Sequence, residues 1–166
     1  MRNEKNTTEA SGEYRKAFGQ FSSIKTQRIT VLDPVKVELD TQEKIQGQKH
    51  SIDFEGGDIK ILKSGAYLIF AAPQVGKIEG NRNRWIDFWL RLNGKDMYNS
   101  NIRRVLTNKE EKDVISLNAV TDLNKGDVLN IMMAAETNDE GLRIEYMQPE
   151  NQPAIPSMIV TMVQLD

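Results

Sequence analysis

Apolar residues in this chain recur mostly at every second position, in short runs cut by turn residues. Val35, Val37 and Leu39 alternate with Lys36, Glu38 and Asp40, the period of a strand with one wet face. Trp85–Leu92 alternates throughout, with Ile86, Phe88, Leu90 and Leu92 on one side and Trp85, Asp87, Trp89 and Arg91 on the other. Leu129, Ile131 and Met133 alternate with Asn130, Met132 and Ala134, and Leu142, Ile144 and Tyr146 with Arg143, Glu145 and Met147. Two runs break the rule by being apolar on both sides, Tyr67–Ala72 and Met158–Leu165. The first belongs to the central stretch Ile59–Val75, read as two strands joined as a hairpin at Lys63-Ser64-Gly65. There Tyr67, Ile69 and Ala71 point one way and Leu68, Phe70 and Ala72 the other. A strand apolar on both faces has to be covered on both.

Turn residues separate these runs: Asp33-Pro34, Glu55-Gly56-Gly57-Asp58, Asn93-Gly94 and Asn124-Lys125-Gly126-Asp127. Asn93-Gly94 carries the strongest hairpin signal of the four. Pro149, Pro153 and Pro156 hold an extended loop ahead of the last strand. No window shows a helical period flanked by caps. About eight to ten short strands predict an all-β antiparallel β-sandwich or barrel. Residues 1–16 have no apolar period and are expected to form a flexible polar tail, with the domain spanning 17–166.

A chain of 166 residues suffices for one domain with a substantial core. The net charge of −2 gives no general reason to bind nucleic acid or an anionic membrane. With no cysteine there is neither a disulfide framework nor thiol chemistry. No apolar run approaches the roughly 18 residues that span a bilayer, so no membrane insertion is expected. No signal peptide is visible, and the glycosylation sequon at Asn6-Thr7-Thr8 has no secretory context to use it.

Candidate chemistry is sparse. His50 is the single histidine, set in a polar loop with no nucleophile beside it, which argues against a catalytic triad. One histidine and no cysteine do not make a usual zinc site, and no metal or cofactor is expected. Asp53, Glu55 and Asp58 have the oxygen chemistry of calcium ligands, although a turn rich in Asp and Gly is more often only a turn. Asp87, between Trp85 and Trp89, fits one half of a glycosidase acid pair or an ion pair with Arg91. The indoles of Trp85 and Trp89 lie on one strand face roughly 13 Å apart. That face suits a subunit interface, a sugar-stacking surface or a wide core, with interface or core favoured. Arg82, Arg84, Arg103 and Arg104 read as a solvated rim in a chain of negative net charge.

Several motifs occur together in a familiar order: Ala17-Phe18, Gly65-Ala66-Tyr67, Leu90-Arg91-Leu92-Asn93-Gly94, Leu123-Asn124-Lys125-Gly126-Asp127-Val128 and Pro156-Ser157-Met158-Ile159. In this the chain resembles the C1q/TNF-like jelly rolls, over roughly residues 17–166. The resemblance implies a jelly roll of about ten strands, a compact homotrimer, and recognition or structural work without catalysis. It also implies an extracellular, cell-surface or particle-surface setting, and the short tail in place of a collagen stalk points to a bacterial or viral-type member. Partners would be the chain itself and an unidentified protein or glycan. On this view Tyr67, Ile69, Met132, Met158, Val160 and Met162 form the trimer interface, with Gln164 marking where it reaches water. Ile159, Val163 and Leu165 would face the sandwich core. The alternative is a monomeric carbohydrate-binding sandwich that uses Trp85 and Trp89, or less plausibly a glycoside hydrolase.

Overall fold

A computed structural model describes residues 16–42, 52–55 and 57–166. The expected tail, apart from Lys16, and His50 lie outside the described residues. In chain order the strands are β1 Phe18–Ser23, β2 Gln27–Arg28, β3 Val35–Lys36, β4 Thr41–Gln42, β5 Ile52–Glu55, β6 Asp58–Ile61, β7 Gly65–Gly76 and β8 Arg84–Leu92. They continue as β9 Lys95–Asp96, β10 Ile102–Leu106, β11 Lys112–Val114, β12 Leu117–Leu123, β13 Val128–Ala135, β14 Arg143–Ile144 and β15 Met158–Gln164. Among the described residues there is no helix. One sheet runs β2-β14-β7-β15-β1-β4, with β12 and β11 also paired to β7. The other runs β10-β8-β13-β6-β5, with β3 beside β13 and β9 beside β8. The core lies between them and is closed by the alternating inward residues of both.

The long strand β7 organises the first sheet. Its neighbours β15 and β12 run antiparallel to it in continuous register from Met158↔Pro73 to Gln164↔Tyr67 and from Leu117↔Ala71 to Leu123↔Gly65. Residues directly opposite share a face, so Phe21, Val160, Ala71 and Leu117 form one inward row across four strands. In the second sheet Leu129↔Leu92, Ile131↔Leu90 and Met133↔Phe88 supply the facing layer.

The central stretch departs from the expected hairpin. β6 pairs with β5 and β13 in the second sheet, whereas β7 lies in the first. The turn at Lys63-Ser64-Gly65 is therefore a crossover between layers, and sequence period alone does not distinguish it from a hairpin. A second turn pins it. Gly126 N donates to Ile61 O at 2.7 Å, Ile61 N to Asp127 O at 2.8 Å, and Lys125 N to Ser64 Oγ at 2.9 Å. The Asn93-Gly94 turn docks on the same corner. Both its residues have positive φ, 50° and 78°, as a type I′ turn requires. The Asn93 amide donates to Asp127 Oδ1 at 2.7 Å and accepts from Val128 N at 2.9 Å. Two motifs some thirty residues apart in sequence thus meet at one end of the sandwich.

The phase of the two-faced strands is the opposite of the expected one. Tyr67, Ile69, Met158, Val160 and Met162 are all 0% exposed inside a single chain. Side chains with no surface left have none to give a neighbour, so these five are core residues. Gln164 is buried too, accepting from Ala17 N at 2.9 Å and donating to Ser64 O at 3.1 Å. Val163 and Leu165 are the exposed residues of that run. Alternation identifies two faces of a strand but not which one turns inward when both are apolar. Met162→Ala is expected to lower unfolding free energy by about 2–5 kcal/mol through cavity formation, measured by urea denaturation. Met162→Asp should fail to fold rather than merely dissociate.

Candidate functional site

The outward face of the first sheet carries a row of exposed apolar side chains. Phe18 lies opposite Val163, Val163 opposite Leu68, and Leu68 opposite Val120. This makes an apolar row across β1, β15, β7 and β12. Leu68 is 39% exposed, Val163 37% and Val120 65%. Phe70, 41% exposed, extends the patch along β7 between Thr161 and Asn118. Ile159 and Ala72, paired further along, are half-buried. Contiguous apolar surface of this kind is uncommon on a protein that works alone.

Met132 sits elsewhere. It lies opposite Trp89 on the outward side of the second sheet, with Lys36 on its other flank, and is 3% exposed. It therefore does not join Met158 and Met162, which line the core from the other sheet.

On the same outward side, β8 presents Trp85, Asp87, Trp89 and Arg91 together, as the alternation predicts. Their partners differ from expectation. Asp87 is gripped by Arg103 of β10, Nε to Oδ1 and Nη2 to Oδ2, both at 2.7 Å. β10 places Arg103 directly opposite Asp87, a cross-strand relation hidden from local spacing. The same guanidinium lies 4.1 Å from the Trp85 ring centroid, a cation–π contact. Arg91 instead donates to Asp96 Oδ1 at 2.7 Å, and Trp89 Nε1 donates to that same oxygen at 2.7 Å. Trp89 is buried, 8% exposed, and a face of Trp85 is occupied by Arg103. Both Asp87 oxygens are held by a cation, the arrangement of a structural carboxylate rather than of a proton donor.

The other expected residues disperse into ion pairs. Glu55 pairs with Lys60, and Asp58 bonds Lys36 Nζ and Asn130 Nδ2, each at 2.7 Å. Lys36, the first cause, lowers the Asp58 pKa below its ordinary value. Arg104 meets Asp113 at 2.8 Å, and Arg84 meets Glu140. Among the described residues no group of three or more His, Cys, Asp or Glu side chains gathers as a metal would need.

One buried ionic cluster escaped sequence reasoning. Lys77, 1% exposed, follows β7 directly, and its ammonium lies 3.0 Å from Glu140 Oε2. It also donates to the carbonyls of Arg82 and Thr107. Arg84 Nε donates to Glu140 Oε1 at 2.9 Å. The cluster fastens the loop after β7 to the loop after β13. Nothing in a lysine within a polar stretch announces such burial.

No family model and no curated protein matches the sequence. The backbone does match solved structures. One is the crystal structure of murine APRIL at pH 5.0, with a TM-score of 0.52 and 9% identity, covering 91% of this chain and 100% of that one. At such identity the likeness is one of fold alone. With the two antiparallel sheets described above, it establishes a TNF-like jelly-roll sandwich.

Hydrogen bonding from Lys77 holds the Glu140 pKa below its ordinary 4.5. A depressed carboxylate pKa contributes stability that is present above the unfolded value and lost as pH falls through the folded one. Thermal melts below pH 4.5 should therefore show a shallower loss of stability in Glu140→Gln than in the parent. At neutral pH, Glu140→Ala should lower the melting temperature more than Lys77→Met does. The first strands a buried ammonium, whereas the second replaces it with an apolar chain of similar shape.

Proposed function

We propose that the chain is a non-catalytic recognition or structural module that assembles as a homotrimer through the outward face of the first sheet. The apolar row Phe18–Val163–Leu68–Val120 with Phe70 carries this reading. These residues replace the buried set expected from the sequence. The TNF-like fold supports it, as does the ion pairing of Asp87, the carboxylate read as either one half of an acid pair or an ion-pair partner. A closed ring of three is built from heterologous contacts, in which one patch meets a different one. Val114, exposed on β11 opposite Gln74, extends that face, whereas Val105 lies opposite Trp85 on the second sheet. An extracellular or surface setting accords with the fold, and among the described residues no helix is long and apolar enough to cross a membrane.

Three chains of 18.9 kDa give an assembly of about 57 kDa. Light scattering on a size-exclusion peak should report that mass at micromolar concentration. The double variant Leu68→Asp/Val163→Asp should run as a folded monomer, because its new charges would have to be buried at every contact around the axis. An unmodified chain found at 18.9 kDa, or an aspartate variant still at three times that mass, overturns the proposal.

A further inference from the structure

Beside Trp89, at the far end of β8, the chain builds a hollow of about 400 Å³ lined by Trp89, Asp96, Met97, Tyr98, Asn99 and Asn101. Its wall is residues 97–101, the loop that joins β9 to β10. The loop is fastened to β8. Met97 N donates to Leu90 O at 2.9 Å, Leu90 N to Ser100 Oγ at 3.0 Å, and Ser100 Oγ to Met97 O at 2.8 Å. Those bonds occupy both backbone groups of Leu90 beyond the end of β9, so the loop is held in place without a ladder. Asn99 adopts φ of 61° within it, a left-handed conformation that asparagine tolerates better than most residues.

The hollow's polar groups are largely uncommitted. Tyr98 is 92% exposed, an unusual position for an aromatic ring on a well-fastened loop. Within the described residues its hydroxyl, and the amides of Asn99 and Asn101, make no hydrogen bond, although much of the surrounding polar surface does. Asp96 receives Trp89 Nε1 and Arg91 Nε on one oxygen, Oδ1. Its Oδ2 carries no hydrogen bond within the described residues.

We infer that this hollow is a binding site for a neutral saccharide, with the Tyr98 ring as the stacking platform and Asn99, Asn101 and Asp96 Oδ2 as partners for ring hydroxyls. The choice of ligand class follows from the donors and acceptors present. Carboxamides both donate and accept, and a carboxylate oxygen accepts, which together match a hydroxyl-rich ligand. Arg91 at 2.7 Å already balances the Asp96 charge, so the hollow offers no net charge to either an anionic or a cationic ligand. A volume of about 400 Å³ lies within the usual range for a small-molecule cleft, and an aromatic wall with few convergent polar groups is its usual lining. The site differs from the Trp85/Trp89 surface suggested by sequence, since Trp89 serves as a wall and Trp85 takes no part. The inference deepens the recognition reading by naming a ligand class, but the hollow belongs to one chain and does not require the trimer.

The test is an amide and indole NMR titration of the full chain with lactose, cellobiose, mannobiose and N,N′-diacetylchitobiose, alongside sulfated and amino sugars. At least one neutral disaccharide should shift the Trp89 indole N–H together with the amides of Tyr98 and Asn101. Tyr98→Ala, at an exposed position that leaves the core intact, should weaken that binding about tenfold or more, on the scale of one lost aromatic stack. Asn101→Ala should weaken it too, and Trp85→Ala should leave it unchanged. The assignment is overturned if no neutral sugar binds, if only charged sugars do, or if Tyr98→Ala binds as the parent does. Because the mass measurement above is separate, a monomer that binds sugar at Tyr98 would sink the trimer and keep this site. A trimer with no sugar response would do the reverse.

Discussion

Everything in the first sheet depends on one constraint, that β7 turns Tyr67, Ile69 and Ala71 inward. A strand's side chains alternate, so this single choice commits Leu68 and Phe70 to the outside. Register carries the choice sideways. β15 must then bury Val160 and Met162 and expose Val163, and β12 must bury Leu117 and expose Val120. A slip of one residue at β7 would invert the whole face. Tyr67 adds a specific cost to the inverted arrangement, since its hydroxyl donates to Lys63 O at 2.7 Å from a fully buried ring. That bond also ties the strand to the crossover from which it emerges. An exposed apolar row is thus the counterpart of a well-specified core, not an independent feature of the surface.

Period-two alternation made the fold legible from the sequence, and the turn residues delimited most of the strands. Asn93-Gly94 behaves as its chemistry demands, and the Asn124–Asp127 turn stands where its composition places it. The site was less legible because every decisive relation is cross-strand. Arg103 reaches Asp87 across a ladder sixteen residues away in sequence, and Asp96 takes Arg91 instead. Lys77 hides in a stretch that reads as solvated loop. The inverted phase of Met158–Gln164 has the same origin, since two apolar faces look alike until one is seen to pack. Tyr98 carried no sequence signal at all, because an aromatic outside an alternating run belongs to no pattern.

The two sheets divide their labour. The first sheet's outward face centres on the apolar row, with charge at its margins on Arg28, Lys112 and Asp122. The second sheet's outward face is laced with charge: Arg103 with Asp87, Arg91 with Asp96, Lys36 with Asp58. The side chains of Tyr98, Asn99 and Asn101, beside these pairs, take no part in them. On the proposed readings, assembly and ligand contact would fall on opposite sides of one sandwich, and occupancy of one would not obstruct the other.

The pairing of β1 with β15 bears on how such a chain becomes folded at all. Phe18 meets Val163 and Ser23 meets Met158, so the earliest described strand, beyond a short pairing with β4, finds its long partner only in the last. β7 likewise waits for β15 along one edge. Loop-closure entropy over most of the chain must be met before those ladders form, which places this topology among the slow folders. During synthesis the middle of the first sheet would stand open, with Leu68 and Phe70 on one side and the unsatisfied backbone of β7 along its edge. An interval of that kind exposes a chain to aggregation, and the final strand, by inserting between β1 and β7, is what ends it.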